Sequence, residues 1–191
     1  MGYRVGLLPA WVPLASLGSW AQAPRKVIID QDALGPGGTD QNSMLVLIQS
    51  PEVELLGITV VTGDAWRDEE VAHTLRMLEI IGRTDIPVFP GAVFPLVNSQ
   101  EGMKDWQKLH GKILYMGAWF ANYPGWHYHD PFVVPELKEG KPSHQAASED
   151  AAHFLVRMVH QYPHEITLYA AGPLTDLALA MGTDPHFPEL T

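Results

Sequence analysis

Cysteine is absent from this sequence of 191 residues. Its absence excludes a disulfide scaffold, a thiolate zinc site, an iron–sulfur site and a cysteine nucleophile, but leaves open a metal held by oxygens. Cationic side chains are also scarce: 12 lysines and arginines face 22 aspartates and glutamates, for a formal net charge of −10. Such an acidic chain repels a phosphate backbone, so we expect no nucleic acid among its partners.

Long hydrophobic runs are lacking too. The N-terminal apolar stretch, Val5 to Leu17, is shorter than the roughly 20 residues that a membrane-spanning helix needs. Arg4 precedes this stretch, and Ala21-Gln22-Ala23 follows it as a small-x-small cleavage site. This layout is typical of a secretory signal peptide, residues 1–23. We therefore expect a periplasmic or secreted protein with no membrane span after cleavage.

Residues 24–191 alternate between two kinds of hydrophobic pattern. Short continuous apolar runs are typical of buried parallel strands, and apolar residues at helical spacing are typical of amphipathic helices. The predicted strands are 26–29, 53–61, 86–89 and 165–170, and the predicted helices are 39–50, 66–81, 103–114, 149–162 and 174–181. This alternation predicts an α/β fold, an open and mostly parallel sheet with flanking helices.

Two regions depart from the alternation. Residues 92–146 are rich in tryptophan and proline and have weak periodicity, so we interpret them as an irregular excursion. Residues 184–191 follow the last helix and are predicted to be a connector. Because such a helix normally leads back into another strand, and four strands make a small sheet, the domain is expected to be truncated at its C-terminus.

Three aspartates are the strongest candidates for chemistry. Asp30 and Asp32 follow the first strand, and Asp40 begins the next helix. Ligands of parallel α/β sheets bind at the carboxyl ends of strands. Three converging carboxylates repel one another unless a cation lies among them, and hard oxygens suit Ca²⁺ or Mg²⁺. The alternative is structural: Thr39 or Asp40 as a helix cap, and Asp32 as a turn residue.

Several blocks occur together in a definite order and spacing. They are KVIIDQD (26–32), Thr39-Asp40, SPEVELLGIT (50–59), Thr62-Gly63-Asp64, IPVFPG (86–91), His110-Gly111 and EITLYAAGPLTDLALA (165–180). Together they resemble the N-terminal half of the inosine–uridine-preferring nucleoside hydrolases, over about residues 25–98 and 148–190. The resemblance implies a Ca²⁺-dependent hydrolase of the N-glycosidic bond in ribonucleosides or related ribosyl compounds. It also implies a small-molecule substrate and a possible homo-oligomer.

In that family a DxDxxxDD cluster holds calcium, which binds the ribose 2′- and 3′-hydroxyls and a water. One aspartate takes a proton from this water, and the transition state resembles an oxocarbenium ion. The resemblance implies that Asp30, Asp32 and Asp40 bind metal, with the backbone carbonyl of Ala171. The family's remaining calcium aspartate and its leaving-group histidine are expected beyond residue 191.

The match to the family's catalytic motif is partial. Thr39 falls where the family has its base, and threonine cannot act as a general base near neutral pH. The loop 33–38 is also three residues longer than the family's. Either this loop brings Asp40 into the role of base, or catalysis is altered or lost. Asp64 falls at a ribose-contacting asparagine, and its carboxylate can accept a hydrogen bond from a hydroxyl but cannot donate one. Asp32 is the other expected substrate contact.

Two further functions remain open. Thr39 favours a non-catalytic homologue that binds ribose or calcium. A buried strand ending in DxD also begins phosphatases in which Asp30 would be the nucleophile and Mg²⁺ would assist. Trp126-His127-Tyr128-His129-Asp130 could bind a metal or form an aromatic wall beside a base. Residues 67–70 (RDEE) are predicted to be a charged first turn of a helix.

Overall fold

The computed structural model describes residues 23–119 and 129–191. Four parallel strands form one sheet in the order β3-β2-β1-β4. The elements, in chain order, are β1 (Arg25–Gln31), α1 (Thr39–Gln49), β2 (Val53–Val60), α2 (Arg67–Ile80), β3 (Val88–Pro90), α3 (Gln100–His110), α4 (Ala151–Gln161), β4 (Ile166–Ala170), α5 (Thr175–Thr183) and α6 (Phe187–Leu190). The predicted α/β fold, with an open parallel sheet and flanking helices, is confirmed.

Helices cover the sheet on both faces because β1 and β2 are apolar on both sides. Val27 and Ile29 of β1 belong to one core cluster, which also contains Met44 of α1 and Leu78 of α2. Ile28 points the other way, into a second cluster formed by α4, α5 and α6. Alternate side chains of a strand face opposite sides of its sheet, so one continuous apolar run supplies both cores.

The second core requires a glycine in β2. Phe89 and Phe154 stack with ring centroids 3.6 Å apart, directly against Gly57. A Cβ atom at this position would lie 2.8 Å from the Phe89 ring and 2.9 Å from the Phe154 ring. The absence of a side chain at Gly57 therefore makes room for the stacked rings of Phe89, from β3, and Phe154, from α4, on this face of the sheet.

Most element bounds are predicted to within a few residues, but some expectations are wrong. The third helix spans Gln100–His110 rather than 103–114, because the Ser99 hydroxyl accepts a hydrogen bond from the Gly102 amide and begins the helix earlier. Neither Thr39 nor Asp40 caps α1, whose N-cap is Gly38. The predicted connector forms the short helix α6, since Phe187 is buried in the second core. Within the described residues, no helix is long and apolar enough to cross a membrane.

Candidate active site

The carboxyl ends of β1, β2 and β4 meet at one edge of the sheet. Asp30 pairs with Thr59 of β2 and with Ala170 of β4 in the parallel register, so the segments after all three strands emerge side by side. Asp32 lies one residue beyond β1, and Asp64 lies in the turn after β2. The topology therefore brings two predicted site residues together that are more than 30 positions apart in sequence.

Asp30 belongs to a buried pair of acids. Its Oδ1 accepts a hydrogen bond from Thr59 Oγ1 at 2.6 Å, and its carboxyl group contacts that of Asp176 at the start of α5. Oδ1 of Asp176 accepts a hydrogen bond from the Ala92 amide at 2.7 Å. Burial, and then the charge of Asp176, raise the pKa of Asp30, so the pair retains a proton that exposed aspartates would lose. Sequence reasoning missed Asp176, although it follows β4 at the expected edge.

Asp32, Asp40 and Asp64 form a second and more open group of carboxylates. Oδ2 of Asp32 accepts a hydrogen bond from the Asp64 amide at 3.2 Å, and the carboxyl groups of Asp40 and Asp64 are in hydrogen-bonding contact. Burial, and then the charges of Asp64 and Asp40, raise the pKa of Asp32 to about 6. Burial and Asp64 also raise the pKa of Asp40. The structure thus brings Asp32, Asp40 and Asp64 together, while Asp30 lies in the separate buried pair.

Two glycines allow backbone to approach Asp32. A Cβ atom at Gly63 would lie 1.9 Å from Asp32 Oδ2, and one at Gly172 would lie 2.8 Å from Oδ1. The side chain of Asp32 is therefore held between the turn after β2 and the turn after β4. Ala171, the predicted carbonyl ligand, lies in that second turn, and its amide donates a hydrogen bond to the Asp30 carbonyl at 3.1 Å.

Residues 67–70 form the charged first turn of α2, as predicted, but two of its acids, both glutamates, are buried. Glu69 is 4% exposed and Glu70 is fully buried. Oε1 of Glu70 accepts a hydrogen bond from the Ala65 amide at 2.6 Å, while Oε2 is buried without a hydrogen-bonding partner among the described residues. Burial, and then Asp32 and Asp64, raise its pKa well above the usual range for glutamate. Glu70 therefore adds another acid to the floor of the site.

Part of the irregular excursion packs against the site. The Tyr115 hydroxyl donates a hydrogen bond to Asp64 Oδ1 at 2.9 Å, and the Ala118 amide donates to the Gly63 carbonyl at 2.8 Å. Burial, and then Asp64, raise the pKa of Tyr115 because both disfavour its phenolate. Beside this contact, a cavity of about 190 Å³ is lined by Thr62, Gly63, Pro95, Asn98, Met116, Ala118, Trp119, Pro173 and Thr175. Sequence reasoning missed Tyr115, since its segment has no periodic pattern.

A histidine–glutamate cluster supports the long loop before α1. Nδ1 of His73 contacts the Glu139 carboxylate, and His129 Nε2 lies 2.7 Å from Glu69 Oε2. Gly35 has a φ of +61° and rests on the His73 ring, where a Cβ atom would come within 2.9 Å. This loop leads directly into Thr39 and Asp40. Residues 126–128 of the predicted aromatic or metal-binding motif lie outside the described residues.

The carboxylate oxygens at this edge are ligands of the kind that calcium prefers. Burial, and then neighbouring carboxylates, raise the pKa values of Asp32 and Asp40, and hard oxygen ligands are those that Ca²⁺ prefers. Yet in residues 23–119 and 129–191 no group of three histidine, cysteine or acidic residues has an arrangement that could hold a metal ion. The assignment of Asp30, Asp32, Asp40 and Ala171 as metal ligands stays a prediction.

Comparisons with known proteins identify the family of this chain. Residues 27–191 match the family model described as inosine-uridine preferring nucleoside hydrolase. The chain belongs to this nucleoside hydrolase family. It is 35% identical over 163 residues to the probable uridine nucleosidase 2 of Arabidopsis thaliana, covering 85% of this chain and 44% of that protein. It is 36% identical over 162 residues to uridine nucleosidase 1 of the same plant, covering 85% of this chain and 41% of that protein.

A solved structure of this family also has a similar fold. A plant nucleoside hydrolase superimposes with a TM-score of 0.61 at 26% identity, over 87% of this chain and 45% of its own. The chain thus spans slightly less than half the length of these relatives. The predicted resemblance to nucleoside hydrolases is confirmed, for the family and for the fold.

Proposed function

We propose that this protein hydrolyses the N-glycosidic bond of ribonucleosides. The observation that carries the proposal is the convergence of Asp32, Asp40 and Asp64 at the carboxyl edge of a nucleoside hydrolase fold. Cleavage of such a bond develops positive charge on the sugar, and a group of carboxylates stabilises that charge. The same oxygens can accept hydrogen bonds from the hydroxyls of a ribose.

Asp40 is the proposed general base. Its carboxyl is half-buried beside Asp64, and burial and that neighbour raise its pKa, so it takes up a proton more readily than an exposed aspartate does. Thr39, the preceding residue, begins α1 and cannot take this role. Asp32 and Asp64 are proposed to bind the ribose hydroxyls, because their oxygens lie in the same open group.

Calcium is the proposed cofactor. When bound, it would lower the pKa of a water and orient the ribose diol. Within this chain the ion would be held by Asp32, Asp40 and the Ala171 carbonyl, with Asp30 beneath them. The hydroxyls and water of the bound substrate complex would supply further oxygens, since Ca²⁺ takes six to eight.

Uridine and inosine are the first substrates to test. Support comes from the family description and from two relatives named as uridine nucleosidases. Export remains part of the proposal on the pattern of residues 1–23, of which only Ala23 is among the described residues. A homo-oligomer is proposed from the resemblance alone.

The test is base release from uridine and inosine by the full chain, with calcium and with a chelator. We expect activity that calcium restores, a loss of at least ~100-fold in Asp40→Asn, and little change in Thr39→Ala. Comparing these two variants distinguishes the loss of the proposed base from a general disturbance at the start of α1. Retained activity in Asp40→Asn would remove Asp40 from the role of base.

A non-catalytic homologue is the second candidate, and the observation that favours it is Thr39 at the family's base position. It predicts binding of calcium and ribose by the wild type without any base release, which calorimetry beside the same assay would reveal. The phosphatase alternative fits the structure poorly. Asp30, its nucleophile, is 1% exposed and is engaged by Thr59 and Asp176, so it cannot reach a phosphate.

A further inference from the structure

We propose that Tyr115 is a positioning residue that sets the orientation of Asp64 for binding the substrate's ribose. The inference rests on the proposed function and extends it to a residue of the irregular excursion, to which the sequence analysis assigned no role. The contact that carries it is the hydrogen bond from the Tyr115 hydroxyl to Asp64 Oδ1 at 2.9 Å. Because this bond engages one named oxygen, it fixes the rotation of the carboxylate and therefore the place of both oxygens.

Tyr115 is held in place by the backbone next to it. Gly117 has a φ of +54° and lies against the turn after β2, where a Cβ atom would be 2.0 Å from the Gly63 carbonyl oxygen. That same oxygen accepts the hydrogen bond of the Ala118 amide at 2.8 Å. Only glycine has both the conformation and the space for this approach. The segment 115–118 is thus anchored two residues from the tyrosine, and the phenol does not rely on its own bond for its position.

Asp64 needs such a partner because acids surround it. The carboxyl of Asp40 is in contact with it, and the charge of Asp32 acts on the same region. Left to these repulsions, the Asp64 carboxylate would turn away from its neighbours. A phenol is a neutral donor, so it holds the carboxylate without cancelling the negative charge that the proposed ribose contact uses.

Tyr115→Phe leaves the negative charge of Asp64 in the site, and with it the stabilisation of the positive charge that develops on the sugar. It loosens only the hydrogen bond to a ribose hydroxyl, and this hydroxyl makes no new bond during hydrolysis. An interaction of this kind stabilises the ground state and the transition state alike, so its loss raises KM more than it lowers kcat. A residue that mattered only for folding would instead lower the amount of active protein and leave KM unchanged. The split between KM and kcat therefore separates a positioning role from a purely structural one.

The experiment is steady-state kinetics of base release by the full chain in Tyr115→Phe, which removes one oxygen and preserves the ring. We expect KM to rise by about tenfold and kcat to change by less than about threefold. Tyr162→Phe is the matched control. Tyr162 precedes β4 and so lies at the opposite edge of the sheet, where its hydroxyl accepts a hydrogen bond from Gln161 at 3.0 Å. Removal of this hydroxyl should change neither KM nor kcat.

The double variant Tyr115→Phe with Asp64→Ala tests whether the effect passes through Asp64. We expect the phenylalanine to add no further rise in KM once the carboxylate is gone. An additional rise in that background, or an unchanged KM in the single variant, would overturn the inference while leaving the proposed function intact. Absence of base release by the wild type would instead overturn the proposed function and this inference with it.

Discussion

Replacing Asp176 by asparagine should stabilise this protein, although the side chain is fully buried. The present carboxyl accepts a hydrogen bond from the Ala92 amide and contacts the Asp30 carboxyl. An asparagine of the same shape would keep the oxygen for Ala92 and offer an N–H group to Asp30. The substitution therefore preserves the geometry and removes one of two acids that burial and mutual repulsion disfavour.

The magnitude follows from the proton that the pair holds. Burial raises the pKa of both acids, so at neutral pH the native pair keeps a proton that the unfolded chain, with aspartate pKa values near 3.9, has released. Folding takes up this proton, so the pair's contribution to stability is complete below about pH 4 and is lost as pH rises. The uptake of one proton on folding lowers the free energy of unfolding by ~1.4 kcal/mol for each pH unit above the unfolded pKa. Over the roughly three units up to neutral pH, the loss is about 4 kcal/mol at most. Because the structure around the pair can relax, we expect Asp176→Asn to recover about half of this free energy.

The assay is urea unfolding of wild type and Asp176→Asn at a series of pH values, with a chelator present. We expect the variant to be about 2 kcal/mol more stable at neutral pH and its stability to decline less steeply with rising pH, by about one proton. Asp105→Asn is the control, because Asp105 is an exposed acid paired with Lys108 at 2.7 Å, and it should change stability by less than ~0.5 kcal/mol. An unchanged pH dependence in Asp176→Asn would show that the pair holds no proton.

Three other substitutions test the site and the core. Asp32→Ala should abolish calcium binding in calorimetry, and an unchanged calcium affinity in this variant would contradict the metal assignment. The calcium affinity of the wild type should fall as pH drops below about 6, where Asp32 gains a proton. Gly57→Ala should cost about 1–3 kcal/mol of unfolding free energy, because its Cβ meets two phenylalanine rings, while Gly182→Ala, with open space, should cost nothing. Glu70→Gln should leave stability at neutral pH equal or higher, since burial raises the pKa of Glu70 and so favours its uncharged carboxyl. A clear loss would show that the charged form is needed.

The periodicity of apolar residues and the order of the motifs predicted most of the fold and part of the candidate site. The apolar run at 27–29 predicted a strand buried on both faces, and such strands occur where helices cover both sides of a parallel sheet. Asp30, Asp32 and Asp40 could be assigned to one edge because strand ends are marked in the sequence. Asp176 and Glu70 could not, since nothing local distinguishes a buried acid from a helix-capping or solvated one. The residues around Asp176 and around Glu70 have the pattern that is usual in the first turn of a helix.

The sequence by itself determined the alternation of strands and helices, the family and the edge of the sheet where its acids gather. These depend on local spacing, which a single chain displays directly. Only the tertiary structure decided which carboxyls share a proton, that Glu70 is buried beneath Asp32, and that Tyr115 reaches Asp64 from 51 positions away. Such contacts form only when the chain folds and brings distant segments together. Hydrogen bonds and burial then depend on distances in space, which the separation of two residues in sequence does not specify.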